Sequence, residues 1–335
     1  MLRNGCVALA LAFGCLATAA PATTAAMPGT TAAPTARGSA PADPWQRVGS
    51  GITGGVSGAA LVLGSPAGRG QGELIVARDN KKSGEGRLAR VRLRPGAAPL
   101  VTPLTWKGQL PDDLEAIDTV PGRRNHFIAL ASRGTVFYVV VSRDTATVRV
   151  GPVTLPGAQR SDNYESFALH QDAGGTTYAV WATRGDTDSP AVVRTAEFRL
   201  TDTALRFGNV ADRVDFSVPF PHTDEVRHLS DLKVLPDGTL LAAAASDPND
   251  DNGPFSSAVY EAGSLTLDTQ RRPLLTVGSP GCLTPLRAFT RDDDRKIEAV
   301  LRLRGDEYVW GTDDENHGGF LRPDTGRIQG SSGCP

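Results

Sequence analysis

Apolar and polar positions alternate along most of this chain with a period of two, in short runs broken by Gly, Pro and Asp. Such alternation, rich in Val, Ile, Thr and aromatics, argues half-buried strands. Gly86-Arg-Leu-Ala-Arg-Val-Arg-Leu alternates cleanly, and Val192-Val-Arg-Thr-Ala-Glu-Phe-Arg-Leu and Ser257-Ala-Val-Tyr-Glu-Ala follow the same rule. Thr135-Val-Phe-Tyr-Val-Val-Val is more continuously apolar and equally β-prone. No long stretch carries the helical period, so the chain is expected to be all-β.

One phrase recurs five times, a small or acidic residue set before an apolar run. The phrases are Ser57-Gly-Ala-Ala-Leu-Val, Leu114-Glu-Ala-Ile-Asp, Tyr164-Glu-Ser-Phe-Ala-Leu, Leu229-Ser-Asp-Leu-Lys-Val-Leu and Ile297-Glu-Ala-Val-Leu-Arg-Leu. Their anchors are Ser57, Glu115, Glu165, Ser230 and Glu298, at spacings of 58, 50, 65 and 68 residues. Repeats of that length in a strand-rich chain predict a propeller of five blades, each phrase being an innermost strand. A second strand follows in each repeat: Glu73-Leu-Ile-Val-Ala, His126-Phe-Ile-Ala-Leu-Ala, Thr177-Tyr-Ala-Val-Trp-Ala, Thr239-Leu-Leu-Ala-Ala-Ala-Ala and Glu307-Tyr-Val-Trp-Gly. Gly and Pro mark the turns between them, at Pro121-Gly122, Gly174-Gly175, Pro236-Asp-Gly238 and Gly305-Asp306. The last blade lacks an outer strand after Leu321, and Gln46–Thr53 is expected to supply it, closing the ring through both chain ends. A β-sandwich with long loops is the competing architecture.

The ends set the compartment. Arg3, an apolar stretch from Val7 to Leu16 and small residues around Ala17–Ala20 read as an export signal over residues 1–20, too short to span a bilayer. Lipid attachment at Cys15 is a second reading of the same leader. Residues 21–44, nearly all Ala, Thr, Pro and Gly, read as a disordered linker, leaving 45–335 for the propeller. The formal charge of −2, with acids and bases interspersed, offers no basic stripe for nucleic acid, and no transmembrane segment is expected. Outside the leader only Cys282 and Cys334 remain. In an exported protein they predict one disulfide, worth about 4 kcal/mol in the chain-entropy model. The protein is expected to be secreted and monomeric.

Candidate chemistry sits at the axis. If the anchors face one another, three glutamates share a channel and cannot all ionise without a counter-charge. A hard cation such as Ca²⁺, held by Ser57, Glu115, Glu165, Ser230 and Glu298, satisfies them; pairing with Arg or Lys is the alternative. Around this inner ring the second strands end at Asp79, Arg133, Arg184, Asp247 and Asp313, a charged outer ring. Of these, Asp79, Arg184, Asp247 and Asp313 are the candidate catalytic residues: carboxylates to position or deprotonate water, an arginine to hold substrate oxygens. Mutual salt bridging is the alternative role.

The ordered Ser, Glu, Glu, Ser, Glu series resembles that of the calcium-activated nucleotidase (apyrase) family, five-bladed propellers with channel Ca²⁺. Ser230-Asp-Leu-Lys-Val-Leu-Pro, Asp79 within Ala-Arg-Asp-Asn-Lys, and Arg184 are also similar to that family's motifs. The loop after Arg133 and Thr183 departs from the pattern. The resemblance implies a calcium-dependent hydrolase of phosphate-containing small molecules. A non-catalytic propeller binding a ligand or protein at the cell surface stands beside it. Asp113-Leu-Glu-Ala-Ile resembles, more weakly, the phytase propellers.

Other motifs are read as structural. Asp247-Pro-Asn-Asp-Asp-Asn-Gly looks like a calcium loop with its glycine displaced, and is expected to be a turn-rich loop on the functional face. Asp313-Asp-Glu-Asn-His317 and Asp292-Asp-Asp294 are expected to be solvated surface loops, the latter neutralised by Arg291 and Arg295. Trp181 and Trp310 are expected in the core.

Overall fold

The computed structural model describes residues 44–159, 161–222 and 225–325. The protein is an all-β, five-bladed propeller, and each of the five phrases falls on the innermost strand of a blade. Blade one is Gly58–Leu61, Gly72–Ala77, Leu88–Arg94 and Ala97–Lys107. Blade two is Leu114–Thr119, His126–Ala131, Thr135–Ser142 and Thr145–Thr154. Blade three is Tyr164–Gln171, Thr177–Thr183 and Ala191–Leu200, edged by Leu205–Phe207 and Asp212–Phe216. Blade four is Val226–Val234, Thr239–Ser246 and Ser256–Leu267, edged by Pro273–Val277 and Arg287–Phe289. Blade five is Ile297–Arg304, Glu307–Asp313 and Gly319–Thr325. All pairings within blades are antiparallel, and the described residues contain no α-helix.

The packing identifies the ring. Five apolar clusters lie in the five gaps between successive blades. Ala60, Ile75, Leu114 and Phe127 join blades one and two, and Ile128, Leu130, Phe167 and Trp181 join two and three. Val180, Leu229 and Leu240 join three and four, and Leu241, Val300 and Trp310 join four and five. Ala59, Leu74, Ala299 and Val309 join five back to one, which a β-sandwich does not require. Successive residues of a strand point to opposite faces, so Ala59 and Ala60, or Ile117 and Ala116, serve different gaps. Inner strands are buried on both faces, which is why their sequences are continuously apolar. Trp181 and Trp310 lie in these gaps, 0% and 1% exposed.

Gln46–Arg47 supplies the outer strand of blade five, pairing Gln46 with Leu321 and Arg47 with Phe320. This strand is shorter than the predicted Gln46–Thr53; Ile52–Gly54 instead makes a 3-10 turn. Blades one and two add a link that the repeat did not announce: their outermost strands pair in parallel from Thr105–Thr145 to Lys107–Thr147.

The predicted leader, and the linker up to residue 43, lie outside the described residues. So does Cys334; Cys282, on the turn Pro280–Cys282, is not a free thiol. Among the described residues no helix is long and apolar enough to cross a membrane.

Candidate functional site

The inner strands carry one repeated irregularity. In blade two, Leu114 pairs with Ala131 and Ala116 with Leu130, so Glu115 has no opposite residue. Glu165 is skipped in the same way between Tyr164 and Ser166, and Glu298 between Ile297 and Ala299. In blade four the slip is wider, between Arg227 and Asp231, and contains Ser230. A bulge kinks the strand and re-aims the extra side chain. Three blades therefore turn a glutamate out of the blade, and all three glutamates line one cavity of about 390 Å³.

The five anchors do not act alike. Glu115, Glu165 and Glu298 line the cavity, together with Asp79, Arg184 and Asp313 from the second-strand ends. Ser57 and Ser230 are buried in the wall, and the Ser230 hydroxyl donates to the Ile297 carbonyl at 2.7 Å. Asp247 lines an adjoining cavity of about 230 Å³, and Arg184 and Arg227 line both. The two cavities form a polar cleft with Asp79 and Asp247 in separate lobes.

Arg133 departs from the expected outer ring. Its strand ends at Ala131 and reverses at once, the Gly134 amide bonding the Ala131 carbonyl at 2.8 Å. No loop remains to carry Arg133 to the axis, and it is exposed. Asp113 takes the place in blade two: it accepts a hydrogen bond from Ser132 at 2.9 Å and pairs with Lys81 at 3.1 Å.

The site also contains cations that the motif spacing did not reveal. Arg227 pairs with Asp247, and its Nη1 lies 3.1 Å from Glu298 Oε1. Lys296 pairs with Glu315 and lies 3.4 Å from Glu298 and 3.5 Å from Asp247. The only sequence signal was proximity: Lys296 stands two residues before Glu298, and Arg227 three before Ser230. The loop after blade five's second strand is solvated only in its second half, where Asn316 and His317 are exposed. Asp313 and Asp314 are buried, and Asp314 accepts from Arg295 at 2.7 Å and from the Lys296 amide at 2.8 Å. Arg295 therefore serves Asp314, and Asp294 turns inward to accept from the Phe255 amide at 2.8 Å. The loop after Asp247 is turn-rich, as expected, and delivers Asp251 to the cavity.

Burial and crowding set the electrostatics. Burial, then the charge of Asp313, pushes Asp79 up to about 7, with Lys81 pulling the other way. Burial, then Glu165 and Asp113, holds Glu115 well above the usual range. Burial works against ionised Asp247, but Arg227 and Lys296 outweigh it and keep its value low. Burial opposes charge on Arg227 and Lys296, yet the surrounding carboxylates hold both protonated. Among the described residues no three carboxylate, His or Cys groups lie placed for one metal ion. Of the three channel glutamates, Glu298 is met by the Arg227 guanidinium and the Lys296 ammonium, the pairing with Arg or Lys that was the alternative to Ca²⁺.

No family model matches this chain, and no curated protein matches it. Similar solved structures include a thermostable family-43 glycoside hydrolase, 13% identical with TM-score 0.48, over 87% of this chain and 98% of that one. An endo-1,4-β-xylanase from Bacteroides thetaiotaomicron is 12% identical with TM-score 0.44, over 84% and 91%. An exo-1,5-α-L-arabinanase from a bovine ruminal metagenomic library is 9% identical with TM-score 0.42, over 81% and 92%. These neighbours overturn the resemblance to calcium-activated nucleotidases. The three glutamates of the series that suggested it are each the extra residue of a bulged inner strand, whereas Ser57 precedes an unbulged one.

Proposed function

We propose that this chain is an acid–base hydrolase of neutral, hydroxyl-rich substrates, glycosides in the first instance, acting in the cleft at the channel mouth. The observation that carries the reading is Asp79, a cavity-lining carboxyl whose proton affinity sits near neutrality while Asp247 stays ionised. Two carboxyls pushed apart by their surroundings are the requirement for protonating a leaving oxygen and activating water at one pH. In this scheme Asp79 gives its proton to the glycosidic oxygen as the C–O bond breaks. Asp247 takes a proton from the water whose oxygen joins the freed carbon. Asp313 raises the Asp79 proton affinity, and Arg184, shared by both lobes, orients substrate hydroxyls.

Charge argues the substrate class. The cavity presents nine carboxyl groups against five cationic side chains, and with Asp79, Glu115 and Glu298 protonated six acids still face five cations, so a phosphoryl group finds no cationic excess while a neutral polyol needs none. The test is turnover on a panel of 4-nitrophenyl glycosides and plant or bacterial oligosaccharides, with Asp79→Asn and Asp247→Asn alongside. Activity is expected to fall as pH rises through about 7, and each variant to lose about 10²-fold or more. Turnover unchanged in Asp79→Asn sinks the assignment.

The same carboxylate excess favours a second reading, a non-catalytic receptor for a cationic ligand. Saturable binding of oligoamines or basic peptides, with no hydrolysis across the glycoside panel, selects it.

A further inference from the structure

We infer that the propeller carries a second binding site at the far end of its channel, an aliphatic cavity rimmed by Arg302 and Arg304 that takes a small amphipathic carboxylate. The inference does not rest on the hydrolase reading. The inner strands that begin at the acidic cleft finish here. Leu61, Thr119, Val234 and Arg304 are the last residues of their strands, and with Leu169 of blade three they line a cavity of about 600 Å³. Six leucines line it, Leu61, Leu63, Leu169, Leu235, Leu301 and Leu303, and no aromatic side chain does. Leu303 is the extra residue of a second bulge in its strand, since Arg302 pairs with Tyr308 and Arg304 with Glu307. Blade five thus turns a glutamate into the cavity at one end of its inner strand and a leucine into the cavity at the other.

The charged groups of this cavity divide into a satisfied floor and an open rim. Asp118 accepts the Thr119 amide on one oxygen and the Leu169 amide on the other. Lys233 donates to the Ile117 carbonyl at 2.9 Å and lies 3.5 Å from buried Asp231. The rim holds Arg302, Arg304 and Asp237, two cations against one carboxylate. Asp237 accepts the Thr239 amide at 3.0 Å, and Arg302 donates to the Gly305 carbonyl. Glu307 approaches Arg304 over Gly68. Among the described residues neither arginine has a carboxylate within ion-pair distance. An aliphatic body covers leucine walls that water cannot hydrogen-bond, while a carboxylate head stays hydrated at the rim and meets the guanidinium forks. A sugar would set its hydroxyls against leucine and lose their partners. The two ends of the channel therefore select opposite chemistries, polar at the cleft and amphipathic here.

The experiment titrates the intact protein with octanoate and with 1-octanol by calorimetry, for the wild type, Leu63→Asp and the double variant Arg302→Glu/Arg304→Glu. The wild type is expected to bind one equivalent of octanoate, and 1-octanol several-fold more weakly. Leu63→Asp, which sets a charge in the aliphatic wall, is expected to weaken both ligands by about ten-fold or more. The double variant is expected to weaken octanoate by about ten-fold and to leave 1-octanol within about two-fold, which also shows that its cavity is intact. A wild type that binds neither ligand overturns the inference. Octanol bound as tightly as octanoate overturns it as well, since the head then makes no charge contact. Octanoate binding unmoved by the double variant places the ligand elsewhere and ends the proposal. Should Leu63→Asp fail to fold, the wild type and the double variant decide between these outcomes. No readout involves turnover, so failure here leaves the hydrolase reading standing, and the reverse.

Discussion

Asp79 shows how one position combines three environments. It lines the cavity, it follows Arg78, whose guanidinium is buried, and it feels Asp313 across the channel mouth. The Asp313 carboxylate in turn lies over Gly55, where an added Cβ would sit 2.2 Å from it. Any larger residue at position 55 would therefore push away the charge that tunes Asp79. The Asp79 shift has a consequence for stability. Its value rises from 3.8 to about 7 on folding, so between those pH values the folded chain holds a proton that the unfolded chain has shed. Stability contributed by this group is then present below about pH 4 and lost as pH rises through 7. Asp79→Asn removes the group and is expected to stabilise the protein at pH 8 by about 2 kcal/mol, with little change near pH 4. Urea melts at the two pH values check this, and a stabilisation equal at both contradicts it.

At the scale of the element, bulges and carboxylate staples divide the inner strands between them. The bulges aim glutamates at the mouth, while Asp118 and Asp231, further along the same strands, bind neighbouring blades. Asp118 accepts the Leu169 amide of blade three at 2.7 Å, and Asp231 accepts the Val300 amide of blade five at 2.8 Å. Lys233 lies 3.5 Å from Asp231 and donates to the Ile117 carbonyl of blade two at 2.9 Å. A buried amide left without its acceptor pays full desolvation. Asp231→Ala removes the acceptor of the Val300 and Leu232 amides and the partner of a buried ammonium. It is expected to destabilise the fold by about 3–5 kcal/mol in equilibrium unfolding, against about 1 kcal/mol for a surface Asp→Ala. A loss in the surface range would remove the staple from the account. The parallel pairing of blades one and two belongs to this scale too. Both outer strands are long, and Trp106 on one packs edge-on against Phe137 of the other blade.

Across the whole molecule, ring closure and the site are one problem. The closing segment runs from Gln46–Arg47 through the turn Ile52–Gly54, and Ile52 and Thr53 form part of the cavity rim. Arg78 holds this segment from below, donating to the carbonyls of Val48 at 2.9 Å and Gly55 at 2.8 Å, and also to that of Gly54. Arg47 adds a bond to the His317 carbonyl at 2.6 Å, beside the loop that carries Glu315. Arg78→Ala is expected to raise amide exchange over residues 46–56 by about ten-fold or more, while exchange in blades two to four stays unchanged. A uniform increase would mean that Arg78 supports the whole ring rather than its closure.

The phrase repeat, the apolar second strands and their turns were sufficient to place every blade, because each blade is a local hairpin series whose pattern is written within it. The positions of Glu115, Glu165 and Glu298 at blade starts were legible for the same reason, since a bulge stays next to its strand. Arg227, Lys296, the turn that carries Arg133 away and the burial of Asp314 were not. Their roles depend on which side chains meet across the axis from blades far apart in the chain. Local periodicity carries direction and burial along one strand, but only closure of the ring decides which charges become neighbours, and so what the channel can hold.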